Sequence, residues 1–261
     1  MSAITIDFLP SYAPLIEVTL HAEGLYTGLL RETLETETGF RSLWNHLDTN
    51  GIDGESKVAS DCVRAIRKAV SLKCSHVTAF HGCRVYSAET YREDGIRKSD
   101  TEAILQIAIE RFGAEKQVRE IYATLQSQGY TTHNGGKVYG VKSMKHHMEN
   151  GGLCHAKGSE LLGIIASRMS SNMEANLYSS GEPSIIEYRV PIEYMEESDS
   201  LRAYVASLLQ VFISQLAPYD RPNDPRGGGI IVANDIGPEL LVRRYLCDGD
   251  GYAQKIVEQY Q

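Results

Sequence analysis

The chain has 261 residues, of which 42% are hydrophobic and 23% charged, the composition of a globular protein with ample material for a core. Its net charge of −8 and isoelectric point near 5.5 exclude broad electrostatic binding to nucleic acid, although a local basic patch is compatible with them. No apolar run approaches the roughly 20 residues that cross a bilayer, and no signal-peptide pattern opens the chain. We therefore expect a cytoplasmic protein without a membrane partner.

The cysteines are few, odd in number and widely spaced: Cys62, Cys74, Cys83, Cys154 and Cys247. They form no CxxC pair. This usage is typical of buried or free thiols in a reducing compartment and not of a disulfide framework.

The N-terminal third alternates short apolar runs with one clear helix. Alternation over residues 4–8 predicts a strand, and the run 15–20 is a second strand candidate. Residues 29–47 are mixed and favour helix. Residues 56–73 are amphipathic, with apolar side chains every fourth position, and predict a helix whose basic side faces solvent.

A polar motif follows the next predicted strand. Residues 76–80 alternate and read as a strand that ends at His81-Gly82-Cys83-Arg84. Gly82 permits a sharp turn or the close approach of a ligand. Val85 to Glu93 then predicts a two-turn helix that Gly95 ends.

The middle of the chain predicts two helices, a strand and a long helix. Ser99 and Glu102 form a capping box for a helix that Gly113 interrupts. A turn signal precedes a strand over 137–141, which carries Tyr139. Ser159 is a natural N-cap for one regular helix with an apolar stripe from Leu161 to Leu177.

The C-terminal part predicts strands at 184–192 and 229–233 around a helix at 201–216. Pro191 indicates that the first of these strands lies at an edge or is ending. The segment 218–229 is rich in proline and glycine and is a candidate lid. A last short element ends near Leu246.

The motif over residues 76–96 resembles the first motif of ADP-ribosyltransferases of the poly(ADP-ribose) polymerase and diphtheria-toxin type. In that family a strand ends in His-Gly-Ser-Arg or His-Gly-Thr, and a following helix closes on Gly-Leu or Gly-Ile. Here the matching residues are His81-Gly82-Cys83-Arg84 and Gly95-Ile96. The resemblance implies that NAD is the substrate, with His81, Gly82 and Arg84 contacting its ribose, carboxamide and phosphate.

The same resemblance implies an α+β fold, a split mixed β-sheet with helices packed outside. The chain contains no repeat and no linker that would divide it, so we expect a single domain over residues 1–261, with 1–73 as N-terminal strands and helices and 74–261 as the NAD-binding transferase core. Tyr139 would stack on nicotinamide.

Glu160 would be the catalytic carboxylate, or it would only complement the helix macrodipole at the start of its helix. The family glutamate usually lies on a late strand, so Glu187 and Glu239 remain alternatives to Glu160. The acceptor would be a protein or a nucleic acid. A toxin or defence factor, with an inhibitory partner protein, would fit an enzyme of this kind.

Three other interpretations stay open. Histidine and cysteine are concentrated enough to suggest a zinc-dependent hydrolase or nuclease, built on His81, His146, His147, Cys154 and His155, although no finger spacing or HExxH occurs. The chain could instead be an inactive NAD-binding or interaction protein on the same fold. In the third, Cys83 paired with His81 would act as a nucleophile.

Overall fold

The computed structural model describes residues 5–6, 13–47, 56–131, 135–142, 144, 159–197, 200–220, 229–247 and 253–260. The chain divides into two compact units, each assembled from three segments. Unit 1 contains residues 1–79, 141–143 and 189–230, and unit 2 contains residues 80–140, 144–188 and 231–261. The single-domain organisation stays a prediction.

The described part of the chain contains both helices and strands, as expected for the α+β class. The strands are β1 (Thr5–Ile6), β2 (His76–Val85), β3 (Val138–Val141), β4 (Glu182–Pro191), β5 (Gly229–Val232), β6 (Leu241–Cys247) and β7 (Ala253–Gln259). The α-helices are α1 (Ala13–Ala22), α2 (Arg31–Leu34), α3 (Glu37–Leu47), α4 (Lys57–Lys73), α5 (Ala88–Asp94), α6 (Thr101–Phe112), α7 (Glu115–Ser127), α8 (Glu160–Met169), α9 (Ser171–Ser179), α10 (Ile192–Glu197) and α11 (Ser200–Leu216). A π-helical turn covers Tyr26–Leu30, and a 3-10 turn covers Pro238–Leu240.

The strands form one sheet in the order β5-β3-β2-β4-β6-β7, and β1 pairs in parallel with β2. β4 pairs antiparallel with β6, and β6 pairs antiparallel with β7. β4 therefore lies inside the sheet. Pro191 was predicted to mark either an edge strand or the end of a strand. It is the last residue of β4, so the second prediction is confirmed and the first is wrong.

The α+β class is confirmed, whereas the segment 15–20 is helical and its prediction as a strand is wrong. Ile16, Thr19 and Leu20 are buried and stand at i, i+3 and i+4, while Val18 is exposed. That spacing is the helical period, which a run of six residues is too short to distinguish from a strand. In unit 1 the predicted helices at 56–73 and 201–216 are confirmed as α4 and α11.

The largest difference concerns the polar motif. β2 does not end at His81 but continues to Val85, so the whole motif lies on a strand. The following helix, α5, consequently begins at Ala88 instead of Val85 and ends at Gly95, which has φ 70°. Ile96 exchanges both backbone hydrogen bonds with Ile236, at 2.8 and 2.9 Å, and this bridge fixes the end of the motif in unit 2.

Helices α6, α7, α8 and α9 share an apolar cluster in unit 2 that includes Leu105, Val118, Tyr122, Leu125 and Ile165. Two predicted details are wrong here. The long helix after Ser159 is broken at Ser170, whose extended backbone ends α8 and whose hydroxyl accepts a hydrogen bond from Met173 N to start α9. The N-cap of α6 is Asp100 and not Ser99.

The C-terminal strands of unit 2 are linked by a buried charge network. Arg244 on β6 bonds Glu258 on β7 at 3.0 Å and Glu182 on β4 at 2.8 Å. Glu258 also accepts a hydrogen bond from Arg92. Strand β7 was not predicted. None of the described helices is long and apolar enough to cross a membrane.

Candidate functional site

His81 and Tyr139 lie on adjacent strands, β2 and β3, and are joined by a hydrogen bond. His81 Nδ1 stands 2.8 Å from the backbone carbonyl oxygen of Tyr139. Because a carbonyl only accepts, Nδ1 carries the hydrogen. In the neutral ring Nε2 is then an acceptor, suited to a hydroxyl group of a ligand.

The Tyr139 side chain is half-buried on β3. Burial raises the pKa of its phenol, and the negative charge of Glu160 raises it further. A charge that acts on a phenol in this way lies near it. In unit 2, His81 is therefore joined to the Tyr139 backbone by a hydrogen bond, and Glu160 lies near enough for its charge to raise the pKa of the Tyr139 phenol.

Glu160 is the first residue of α8 and is exposed. Ser159 caps this helix, its hydroxyl oxygen lying 3.5 Å from Leu162 N. A carboxylate at a helix N-terminus interacts favourably with the macrodipole, so this position has a structural use as well. Its exposure leaves the carboxylate within reach of a bound molecule.

The two other candidate carboxylates have different surroundings. Glu187 on β4 accepts a hydrogen bond from the Tyr245 hydroxyl at 2.6 Å and lies 3.5 Å from Arg243 Nε. Glu239 is exposed on the 3-10 turn. Of the three, Glu160 is the carboxylate whose charge perturbs Tyr139.

Arg84 is directed to a turn and not, in this structure, to the His81–Tyr139 pair. Alternation along β2 puts Arg84 on the opposite face from His81. Its Nε donates to the carbonyl of Ser180 at 2.6 Å and its Nη2 to that of Gly181 at 3.0 Å. Gly82 is half-buried in the same strand. Contacts of Gly82 and Arg84 with NAD stay predictions.

Cys83 has the environment of a structural thiol. Its side chain is buried, and burial raises its pKa to about 12 despite a hydrogen bond with Tyr91. The thiolate is the reactive form of cysteine. A thiol that stays protonated at neutral pH does not support the nucleophile interpretation.

Four of the five residues of the zinc interpretation, His146, His147, Cys154 and His155, lie outside the described residues, as does most of the candidate lid at 218–229. Across the described segments, no group of three or more histidine, cysteine, aspartate or glutamate residues is arranged to hold a metal ion.

The sequence analysis missed a close approach beneath the site. A Cβ added at Gly140, the residue after Tyr139, would overlap the hydroxyl oxygen of Tyr188 on β4. Tyr188 is fully buried, and among the described residues its hydroxyl has no hydrogen-bond partner. A glycine inside a strand was the available signal, since it often marks such an approach.

No protein-family model, curated protein or solved structure matches this chain. The case for a function therefore rests on the arrangement of His81, Tyr139 and Glu160.

Proposed function

We propose that this protein is an NAD-dependent ADP-ribosyltransferase that moves ADP-ribose from NAD to a macromolecule, a protein or a nucleic acid. The observation that carries the proposal is the juxtaposition of three residues. His81 bonds the backbone of Tyr139 at 2.8 Å, and the charge of Glu160 acts on the Tyr139 ring. These are the residue types that the resemblance assigns to NAD, and His81 and Tyr139 are 58 positions apart in the sequence.

In the proposed reaction the bond between the nicotinamide nitrogen and C1′ of its ribose breaks. The bonding electron pair leaves with nicotinamide, which becomes neutral. A hydroxyl, amine or ring nitrogen of the acceptor forms the new bond to C1′, and its proton passes to a base. Positive charge develops on the ribose in the transition state, so a nearby carboxylate lowers the barrier.

His81, Tyr139 and Glu160 have different roles in this scheme. His81 Nε2 accepts the hydrogen of a ribose hydroxyl, because its Nδ1 hydrogen is directed to the Tyr139 carbonyl. The Tyr139 ring stacks on nicotinamide and positions it. Glu160 bonds the ribose 2′-hydroxyl, stabilises the developing charge and receives the acceptor's proton.

The finer fold assignment belongs to the same proposal. A split mixed sheet of the ADP-ribosyltransferase type is supported by the adjacency of β2 and β3, which puts His81 beside Tyr139. A role as a toxin or defence factor, with an inhibitory partner protein, is proposed by analogy.

The test uses the purified full chain with NAD labelled in the adenylate moiety and a cell lysate separated into protein, RNA and DNA. We expect label in one fraction and release of nicotinamide. Glu160→Gln should reduce transfer by about a hundredfold or more, a magnitude typical of losing one group that stabilises transition-state charge. His81→Ala should weaken NAD binding and also reduce transfer.

Glu120→Gln is the matched control, since it neutralises another exposed helical glutamate of unit 2. It should leave transfer unchanged. NAD binding with neither transfer nor nicotinamide release would identify an inactive NAD-binding protein. Absence of NAD binding would overturn the proposal.

A further inference from the structure

Arg111, in the last turn of α6, is held in one orientation by neutral groups. Its Nη1 donates to the Tyr86 hydroxyl at 2.9 Å and to the Ser180 hydroxyl at 3.1 Å. Its Cζ lies 4.0 Å from the centre of the Tyr86 ring, in cation–π contact. The guanidinium of this exposed arginine thus has a fixed plane, and the groups that hold it carry no negative charge.

The guanidinium edge formed by Nε and Nη2 has the geometry that binds oxyanions. Both anchoring bonds use Nη1. Within the part of the chain that the structure describes, Nε and Nη2 of Arg111 have no protein acceptor. These two nitrogens form the fork that binds two oxygens of one carboxylate or phosphate.

The turn at residues 180–181 contacts both Arg111 and Tyr86 and fixes their positions. The Ser180 hydroxyl donates to Leu177 O at 2.9 Å, so its lone pair points to Arg111. Gly181 has φ 72°, and a Cβ there would lie 2.7 Å from the Tyr86 ring. Arg84 binds the carbonyls of the same two residues and brings a second guanidinium to the turn.

The carboxylate next to the turn is paired with an arginine outside this cluster. Glu182 follows the turn directly, and its carboxylate pairs with Arg244 at 2.8 Å. In a protein of net charge −8, two guanidinium groups at one turn are a local basic patch of the kind that overall charge does not exclude.

We propose that Tyr86, Arg111 and Ser180, with Arg84 beside them, form a phosphate-binding site, called here the Arg111 site. Its ligand is a phosphate of a nucleotide, either the pyrophosphate of a dinucleotide or the backbone of a single-stranded nucleic acid. The outer face of a guanidinium that already lies on an aromatic ring also suits stacking by a base. The inference does not depend on ADP-ribosyl transfer.

The experiment compares Arg111→Gln with Arg119→Gln in the full chain. Arg119 is an exposed helical arginine of the same unit, but it pairs with Glu115 at 2.8 Å, so its loss changes net charge equally without touching the site. Inorganic pyrophosphate and NAD are titrated by calorimetry in a phosphate-free buffer. A labelled single-stranded oligonucleotide is titrated by fluorescence anisotropy at several salt concentrations.

We expect Arg111→Gln to weaken binding of at least one of these ligands by about tenfold, the usual effect of losing a charge-assisted bidentate contact. For the oligonucleotide, the slope of log K against log salt should fall by about one. Arg111→Lys, which keeps the charge but loses the fork, should bind with intermediate affinity. Arg119→Gln should match the unaltered protein.

A loss for NAD alone would assign the site to the dinucleotide, and a loss for the oligonucleotide alone would assign it to nucleic acid. Equal behaviour of Arg111→Gln and Arg119→Gln with all three ligands would overturn the proposal. Thermal unfolding of each variant checks that the fold is retained. Inorganic pyrophosphate has no ribose and gives no transfer, so its binding tests the Arg111 site whether or not the protein is a transferase, and the two proposals fail separately.

Discussion

At the scale of single residues, Gly140 and Tyr188 show how the surroundings of Tyr139 are constrained. The Tyr188 hydroxyl is buried without a partner among the described residues and lies where a side chain at position 140 would be. Burial raises the pKa of this phenol, so it stays a neutral donor. A buried unsatisfied hydroxyl costs about 1–3 kcal/mol, and only glycine at position 140 leaves room for it.

This arrangement predicts a coupled pair of substitutions. Gly140→Ala should lower the free energy of unfolding by about 1–3 kcal/mol through overpacking. Tyr188→Phe alone should be neutral or stabilising, because it removes the unpartnered hydroxyl and keeps the ring. In the double variant the nearest Tyr188 atom is the ring Cζ, 3.1 Å from the added Cβ, so much of the Gly140→Ala loss should be recovered.

Urea unfolding of the four proteins measures the coupling, which we expect to reach about 1 kcal/mol or more. Gly28→Ala combined with Tyr188→Phe is the control, because a Cβ at Gly28 meets no atom within 4 Å. That pair should be additive. Additivity of Gly140→Ala with Tyr188→Phe would show that the two groups are not in contact.

The sequence predicted which residues belong to the candidate site but not which hydrogen bonds they form. His81, Tyr139 and Glu160 were singled out by type and context; a hydrogen bond joins the first two, and the charge of Glu160 raises the pKa of Tyr139. The contacts of Arg84 with Ser180 and Gly181 were not foreseen. They join residues nearly a hundred positions apart, and nothing in the local pattern encodes such a pairing.

At the scale of elements, the ends of α4 and α11 agree with the prediction to within a residue, whereas the caps of other helices do not always agree. The sequence offers both Ser99 and Asp100 before α6, and each is a good N-cap. The structure uses Asp100, whose carboxylate accepts from Glu102 N and Ala103 N at 3.0 Å. Ser99 instead engages its backbone, pairing with Lys137 and Gly136.

The corrected cap predicts unequal effects of two neighbouring substitutions. Asp100→Ala should lower the free energy of unfolding by about 1 kcal/mol, because two N–H groups of the first turn lose their acceptor. Ser99→Ala should change it by less than about 0.5 kcal/mol, as for an ordinary surface position. Thermal or urea unfolding checks both. Equal losses of unfolding free energy, or a larger loss for Ser99→Ala, would show that Ser99 is the N-cap.

The predicted lengths of strands and helices are wrong where pairing with distant segments outweighs the local sequence pattern. The glycine in His81-Gly82-Cys83-Arg84 suggested a turn, yet β2 continues through it because neighbours β3 and β4 supply pairing on both sides. The run 15–20 was too short to distinguish the two periods. β7 escaped notice because Ala253–Gln259 holds only two large aliphatic residues, Ile256 and Val257.

At the scale of the whole molecule, net charge sets the background for any interaction with nucleic acid. With a formal charge of −8, the protein repels a polyanion on average. We expect no measurable binding of a random duplex at about 0.15 M salt, where the Debye length is about 8 Å. Fluorescence anisotropy with a labelled duplex measures this.

Tight binding of the duplex at that salt concentration would contradict the prediction and would require a larger basic surface than the Arg111 site. Weak binding of a single strand, lost in Arg111→Gln, would be consistent with both predictions. Comparing duplex and single-strand binding therefore separates the effect of the overall net charge from that of the Arg111 site.

The sequence by itself determined the α+β class, most helices, the strands around His81 and Tyr139, and the residue types of the candidate site. The helices and strands follow from periodicity and turn residues, which act over a few neighbouring positions. The fold class and the site residues follow from the resemblance of a short motif to ADP-ribosyltransferases. Tertiary structure decided the strand order, the full length of β2, the choice of Asp100 as a cap and the partners of Arg84, Arg111 and Tyr188. Those features depend on contacts between distant parts of the chain, whose energies are fixed only when the segments pack together.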